Sequence, residues 1–245
     1  MKYLLIIWLL CTMDVFAQRL PFYSSLREPS SFSKLFGGIS AGLSYSMDNT
    51  SLSLLENQLM CCKFENGATT VLSVGGTAEY WLSPQWSFGG TIGLSRMMTS
   101  FSKETDPIPR RDISPLITEY TGTINSFAIA LQTNAKYRLV GTNFSLGGAV
   151  SLSVPIASTS KLVERDISEN AGSNPLFAEK TLLGFNQSYQ VFIVEPSFFV
   201  GYDYAIKNGT YLQTTFHSGY RPTVLKHQEY TSLFFRLNCA YLFTL

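Results

Sequence analysis

The stretch SFAIALQTNAKYRL, residues 126–139, decides how this chain folds. Phe127, Ile129, Leu131, Ala135, Tyr137 and Leu139 fall on one parity, and Ser126, Ala128, Gln132, Asn134, Lys136 and Arg138 on the other. Successive side chains of an extended strand point to opposite faces. The segment is therefore a ribbon with one bulky apolar face and one small, polar or charged face.

The same alternation recurs on either side of it. From Leu35, the residues Ile39, Ala41, Leu43 and Tyr45 oppose Phe36, Gly38, Ser40, Gly42, Ser44 and Ser46. Further two-faced ribbons are predicted near 69–82, 86–99, 143–154, 188–206, 210–221 and 229–245, which with 122–139 makes eight strands. Connections alternate as well. Residues 83–85, 140–142 and 207–209 are tight turns, whereas 47–67, 100–121, 155–187 and 222–228 are longer polar loops. An even number of strands with short turns at one end and long loops at the other is an up-and-down antiparallel meander.

Composition agrees with an apolar surrounding. The chain has 245 residues, of which 14% are charged and 14% aromatic, with 18 Lys and Arg against 17 Asp and Glu. Soluble domains carry about 25% charged residues, and the balanced charge leaves no basic footprint for nucleic acid. At the N-terminus, Lys2, the apolar run Tyr3 to Met13 and Val15-Phe16-Ala17 before Gln18 read as a secretory signal over 1–17. Residues 18–34, with Pro21 and Pro29, read as a lead-in of little fixed structure, and 35–245 as one domain. Cleavage would leave Cys61, Cys62 and Cys239, an odd number without metal-binding spacing. Cys61 and Cys62 read as loop thiols, with a vicinal or inter-chain bridge as the alternative. No cofactor is expected.

The choice of solvent for each face follows from size. Gly, Ser, Thr and Ala crowd the polar face and leave room inside an eight-stranded barrel. The opposite face, if wet, would be an apolar belt larger than a soluble monomer tolerates. In hydrocarbon only a closed sheet pairs every backbone group. The expected fold is thus all-β: an eight-stranded antiparallel up-and-down transmembrane β-barrel. Aromatic residues near the tight turns and the C-terminus, among them Tyr80, Trp81, Trp86, Tyr137, Tyr202, Tyr204 and Tyr211, supply an interfacial girdle where they face outward.

On these features, and on the alternating C-terminal Tyr241-Leu242-Phe243-Thr244-Leu245, the chain over about 35–245 resembles small bacterial outer-membrane barrels of the OmpX and OmpA-barrel type. Within that type it resembles particularly the porin-like family of single-domain barrels widespread in the Bacteroidetes. The resemblance implies an integral outer-membrane location with both termini in the periplasm. It also implies contact with outer-membrane lipid and lipopolysaccharide. The barrel-assembly machinery would read Tyr241, Phe243 and Leu245, although the final residue is Leu where Phe is commoner.

By parity, Glu79, Lys136, Arg138, Glu195, Asp203, His217, Arg221 and Arg236 face the lumen. Counting from the turns puts Glu79, Lys136, Arg138 and Asp203 in a lower layer, and Glu195, Arg221 and Arg236 in a higher one. With Ile206 opposite Thr210 and no bulge, Glu195 stands opposite Arg221. Buried charges need partners, so these residues read as a lumen ion-pair network. The leading functional reading is non-enzymatic: a structural or surface-interaction protein acting through its long loops on an extracellular or envelope partner that the sequence does not name. A narrow pore for ions or small solutes is the second reading, and a lipid-modifying hydrolase the third. The hydrolase reading suffers because His217 and Ser218 are neighbours in a strand and point to opposite faces, and because no serine pairs with His227.

Overall fold

The computed structural model describes residues 35–56, 59–106, 108–110, 113–167, 180–182, 190–207, 209–222 and 230–245. The signal and lead-in readings for 1–34, and His227, lie outside these residues. The strands are β1 (Leu35–Glu56), β2 (Leu59–Trp81), β3 (Trp86–Glu104), β4 (Ile108–Arg110), β5 (Ile113–Leu116), β6 (Thr118–Arg138), β7 (Phe144–Asp166), β8 (Lys180–Leu182), β9 (Ile193–Lys207), β10 (Thr210–Pro222) and β11 (Tyr230–Thr244). Eight of them pair in the order β6-β3-β2-β1-β11-β10-β9-β7, and a β6–β7 pairing closes the ring. The strands β4 and β5 form a separate hairpin, and β8 adds to β7 beside the ring.

Every neighbouring pair in the ring is antiparallel and sequential, apart from the β1–β11 closure that brings the two ends of the domain together at Phe36↔Thr244. Two of the tight turns use glycine at positive φ, Gly141 (77°) and Gly209 (73°), a conformation that costs glycine no steric strain. In the third, Ser83 Oγ accepts hydrogen bonds from the N–H groups of Gln85 and Trp86 at 3.3 and 3.1 Å. The ring is staggered. Following registered partners from Arg96 through Leu72, Leu43, Leu237, Phe216, Val200, Leu146 and Tyr137 returns to β3 at Trp86, well below the start. Such a stagger obliges the strands to tilt against the barrel axis.

Side chains sort by parity as the pleat requires. Leu43, Leu72, Phe88, Ile92, Ile129, Leu131, Val150, Phe216 and Leu237 are exposed on the outer wall, while Ser44, Ser87, Ser95, Ser126, Ser145 and Ser151 are buried in the lumen. The inner glycines are there for clearance. A Cβ built on Gly93 would stand 2.1 Å from the Val74 carbonyl oxygen and 2.6 Å from the Gly75 Cα.

The long connections correct the sequence reading. Most of 47–67 is strand, not loop: β1 continues to Glu56 and β2 begins at Leu59, with pairing out to Glu56↔Leu59 through irregularities at Asn49/Leu52 and Leu54/Leu55. Cys61 and Cys62 accordingly lie in β2. Similarly, β3 reaches Glu104, β6 starts at Thr118 and β7 continues to Asp166, so 100–121 and 155–187 are also partly strand. Among the described residues the wall is lower on the other side. The β7–β9 pairing ends at Ser153↔Ile193 and the β1–β11 pairing at Thr50↔Tyr230, so β1, β2, β3, β6 and β7 rise above β9, β10 and β11. The large apolar residues Phe64, Phe101, Tyr120 and Leu162 of these extensions turn into the lumen rather than outward.

Clearance at the inner glycines sets an expected contrast. Gly93→Val should lower stability by about 1–3 kcal/mol through overpacking. Gly90→Val, on the outer wall where the nearest atom to a Cβ is the Gln132 carbonyl oxygen at 3.7 Å, should stay within about 0.5 kcal/mol of the parent. Equilibrium urea unfolding in detergent micelles measures both.

Candidate functional site

The lower charged layer spans the lumen from β2 to β9. Lys136 Nζ lies 2.5 Å from Glu79 Oε1 and 3.2 Å from Asp203 Oδ2, and Arg138 Nη2 donates to the same Asp203 oxygen at 2.5 Å. Remaining lone pairs are used: Ser87 Oγ donates to Glu79 Oε1 at 2.5 Å, the Tyr211 hydroxyl to Glu79 Oε2, and Gln213 Nε2 to Asp203 Oδ1 at 3.1 Å. The Trp81 ring lies 4.0 Å from the Arg138 guanidinium carbon and 4.7 Å from Lys136 Nζ, a placement in which the π-face favours the cations. Beneath and beside them Phe36, Trp81, Tyr211, Ala240 and Leu242 form an apolar cluster.

The upper layer is built on β9, β10 and β11. Glu195 Oε1 accepts from Arg221 Nε at 2.6 Å, and Glu195 Oε2 from Arg236 Nη2. Arg236 Nη1 reaches Ser151 Oγ on β7 at 3.1 Å. Both guanidiniums lie over the Phe234 ring, at 5.0 Å for Arg236 and 5.7 Å for Arg221. The register that brings Glu195 to Arg221 contains an irregularity. Thr210 opposes Lys207, then Tyr211 opposes Ala205, and this leaves the rest of β10 in the frame of a count without a bulge.

His217 sits between the layers. Its Nε2 is 3.0 Å from Thr215 Oγ1 and 3.3 Å from Asn238 Nδ2, its Nδ1 is 3.4 Å from Ser197 Oγ, and its ring lies 4.9 Å from that of Phe199. Ser218 is on the other face of β10, outside. Around His217 the lumen keeps a cavity of about 80 Å³, lined in part by hydroxyls and amides such as Thr77, Thr91, Gln132, Asn134, Gln213 and Asn238. A polar space of that size suits a few ordered waters.

A third polar group was not legible in the sequence. Asp48 is buried, and it accepts from Ser46 Oγ at 2.8 Å and from Thr69 Oγ1 at 2.5 Å. Thr69 Oγ1 in turn lies 2.7 Å from Thr99 Oγ1 and 3.1 Å from the Tyr230 hydroxyl. Asp48 fell in a stretch read as loop, although its even number on β1 already placed it with Ser44 and Ser46. Alongside it, Phe64, Met97, Phe101, Tyr120, Ile124, Leu162 and Ile193 form the upper apolar cluster of the lumen. Of the aromatic residues considered for the girdle, Trp81 and Tyr211 point inward, whereas Tyr80, Trp86, Tyr204 and Tyr241 are exposed on the outer wall. Phe243 and Leu245 are exposed there as well.

Inside the barrel, therefore, Glu79, Asp203, Glu195 and Asp48 face Lys136, Arg138, Arg221 and Arg236, with hydroxyls and aromatic rings filling the gaps. Such an arrangement neutralises itself. Among the described residues no group of three or more His, Cys, Asp or Glu side chains comes together to hold a metal ion.

No protein-family model matches the chain, and no curated protein does. Solved structures similar to it are bacterial outer-membrane barrels. Ail, the attachment invasion locus protein of Yersinia pestis, is 11% identical over 86% of this chain and 99% of its own, with a TM-score of 0.36. Neisserial surface protein A is 10% identical over 86% and 97%, with a TM-score of 0.37. The outer membrane protein OprG of Pseudomonas aeruginosa is 12% identical over 87% and 97%, also with a TM-score of 0.37. Likeness at this level carries no functional argument, and the barrel described above rests on its own strand pairing.

The upper layer makes a quantitative expectation. Glu195→Ala leaves two buried guanidiniums beside each other and should cost about 3–5 kcal/mol, the range for removing one partner of a buried pair. Thr123→Ala, which removes a hydroxyl on the exposed side with only a long 3.5 Å donation to the Lys161 carbonyl, should cost under about 0.5 kcal/mol. Urea titration of folded protein, followed by heat-modifiable gel mobility, distinguishes them.

Proposed function

We propose that this chain is an integral protein of a bacterial outer membrane, with a structural or surface-interaction role and no enzymatic activity. The observation that carries the reading is the outer wall. Rings of Leu, Ile, Val and Phe side chains are exposed all round the cylinder, an area that water does not tolerate on a soluble monomer and lipid does. In this reading the side of the tight turns, where both ends of the domain meet, faces the periplasm, and the taller wall of β1, β2, β3, β6 and β7 faces the cell exterior. Interaction with a partner is assigned to those rising strands and the connections above them, rather than to loops alone. In the same reading Tyr241, Phe243 and Leu245 serve recognition by the assembly machinery, lipopolysaccharide surrounds the upper wall, and the chain joins the porin-like barrels of the Bacteroidetes.

A non-conducting lumen is favoured by the two charged layers and two apolar clusters that occupy it. A narrow pore remains the second reading, supported by the polar cavity between them. For hydrolysis, the serine hydroxyl in contact with the His217 ring is that of Ser197, inside the barrel and away from the lipid face.

Fractionation and planar-bilayer recording test the proposal together. The protein should sediment with outer membranes, resist alkaline extraction and give no stable single-channel steps. A freely water-soluble monomer would refute the membrane assignment. Large reproducible steps would replace the sealed lumen with the pore.

A further inference from the structure

The barrel wall is not equally closed all the way round. The strand β9 extends to Ile193 and β10 to Pro222, yet registered pairing between them stops at Gly219↔Ser197. On their outer flanks the same strands stay paired at this height, at Ser153↔Ile193 and Pro222↔Thr231.

Two prolines account for the gap. Asp203 N–H donates to the Asn143 carbonyl at 3.0 Å, so odd-numbered residues of β9 aim their backbone groups at β7, and even-numbered ones, Pro196 included, at β10. Thr244 N–H donates to the Gly209 carbonyl at 2.8 Å, so odd positions of β10 aim at β11, and even ones, Pro222 included, at β9. Proline has no N–H. Both missing donors therefore fall in one seam, where the register continues to Pro196 opposite Tyr220 and Val194 opposite Pro222. Central strands ordinarily avoid this.

Side chains hold the seam from both sides. Within the lumen Arg221 Nε bonds Glu195 Oε1 across it at 2.6 Å. Outside, a groove of about 720 Å³ crosses it, lined by Pro196, Phe198 and Tyr220 at the seam and reaching Gly148, Ala135 and Phe88 on β7, β6 and β3. Phe198 is 82% exposed. Gly148 is not glycine for its own fold's sake, since the nearest atom to a Cβ there is the Ser197 carbonyl oxygen at 3.9 Å. The groove is space left open on the apolar side.

We propose that the wall opens laterally at the β9–β10 seam above Ser197 and Gly219, with Glu195–Arg221 as its latch, and that the opening takes a hydrocarbon chain from the groove. Elsewhere in the ring, parting two strands in lipid would strand a full ladder of backbone groups. Here half the donors are already absent. The inference goes beyond the role proposed above but rests on the outer wall facing lipid, which the fractionation experiment tests separately.

The test labels a cysteine just behind the seam. In the full chain with Cys11, Cys61, Cys62 and Cys239 replaced by serine, Ser197→Cys is reconstituted in lipid vesicles and exposed to a long-chain alkyl maleimide dissolved in the bilayer. Ser95→Cys, equally buried in the lumen but behind the fully paired β3, is the control. Labelling, read by mass, should be about tenfold faster at 197 than at 95, slower again in Pro196→Val/Pro222→Val, and faster in Glu195→Gln. Equal rates at 197 and 95, or rates at 197 unaffected by both the double valine and the glutamine changes, would overturn the proposal. Should the double-valine protein fail to fold, the glutamine variant alone decides: no acceleration rejects the latch.

Discussion

Closure is the constraint on which the rest depends. A strand in hydrocarbon has no water to satisfy its N–H and C=O groups, so the sheet must curl until its first and last strands meet, here at β1 and β11. Closure with this stagger leaves a narrow interior. A narrow interior admits side chains, and that requirement explains the serines and glycines of the inner face more directly than any ligand does.

Interior charges then follow a local rule. Glu79, Asp203, Glu195 and Asp48 each have cations or hydroxyl donors within hydrogen-bond distance, and Trp81 and Phe234 offer their faces to the cations. Ion pairs of this kind are weak evidence for stability gained over an apolar core. Their effect here is to fill the barrel with groups that hold one another in place, and to make removal of any one member costly to the rest.

Parity was the legible part of the sequence, because a membrane wall enforces it on every strand from Leu35 to Leu245. It also suffices to set Trp81 beside Glu79 and Tyr211 beside Gln213, on the inner face. What parity could not reach lay above the apolar band. There the outer face turns polar, at Asn49, Glu65 and Arg165, while Phe64, Phe101 and Leu162 turn into the lumen, so 47–67 lacks the outward apolar face that marked the other strands, and Asp48 went unread with it. Ile156 is a second case: the irregularity that sets Phe127 opposite Ala157 and Ala128 opposite Pro155 puts one extra residue in β7, and beyond it the buried face passes from odd residues such as Ser153 to even ones such as Leu162. A bulge of this sort depends on the partner strand and leaves no mark on hydropathy. The lateral weakness between β9 and β10 was also hidden, since Pro196 and Pro222 become meaningful only once the direction of each backbone N–H is known.

The most direct measurement is collision accessibility of spin labels placed one at a time from Phe127 to Leu139 in the reconstituted protein. Oxygen, which concentrates in lipid, should relax the labels at 127, 129, 131, 135 and 137 more strongly than a water-soluble nickel chelate, and those at 128, 132, 134 and 136 should be shielded from both. A chelate maximum at the odd positions would mean that water bathes the bulky face, and the transmembrane barrel would be wrong.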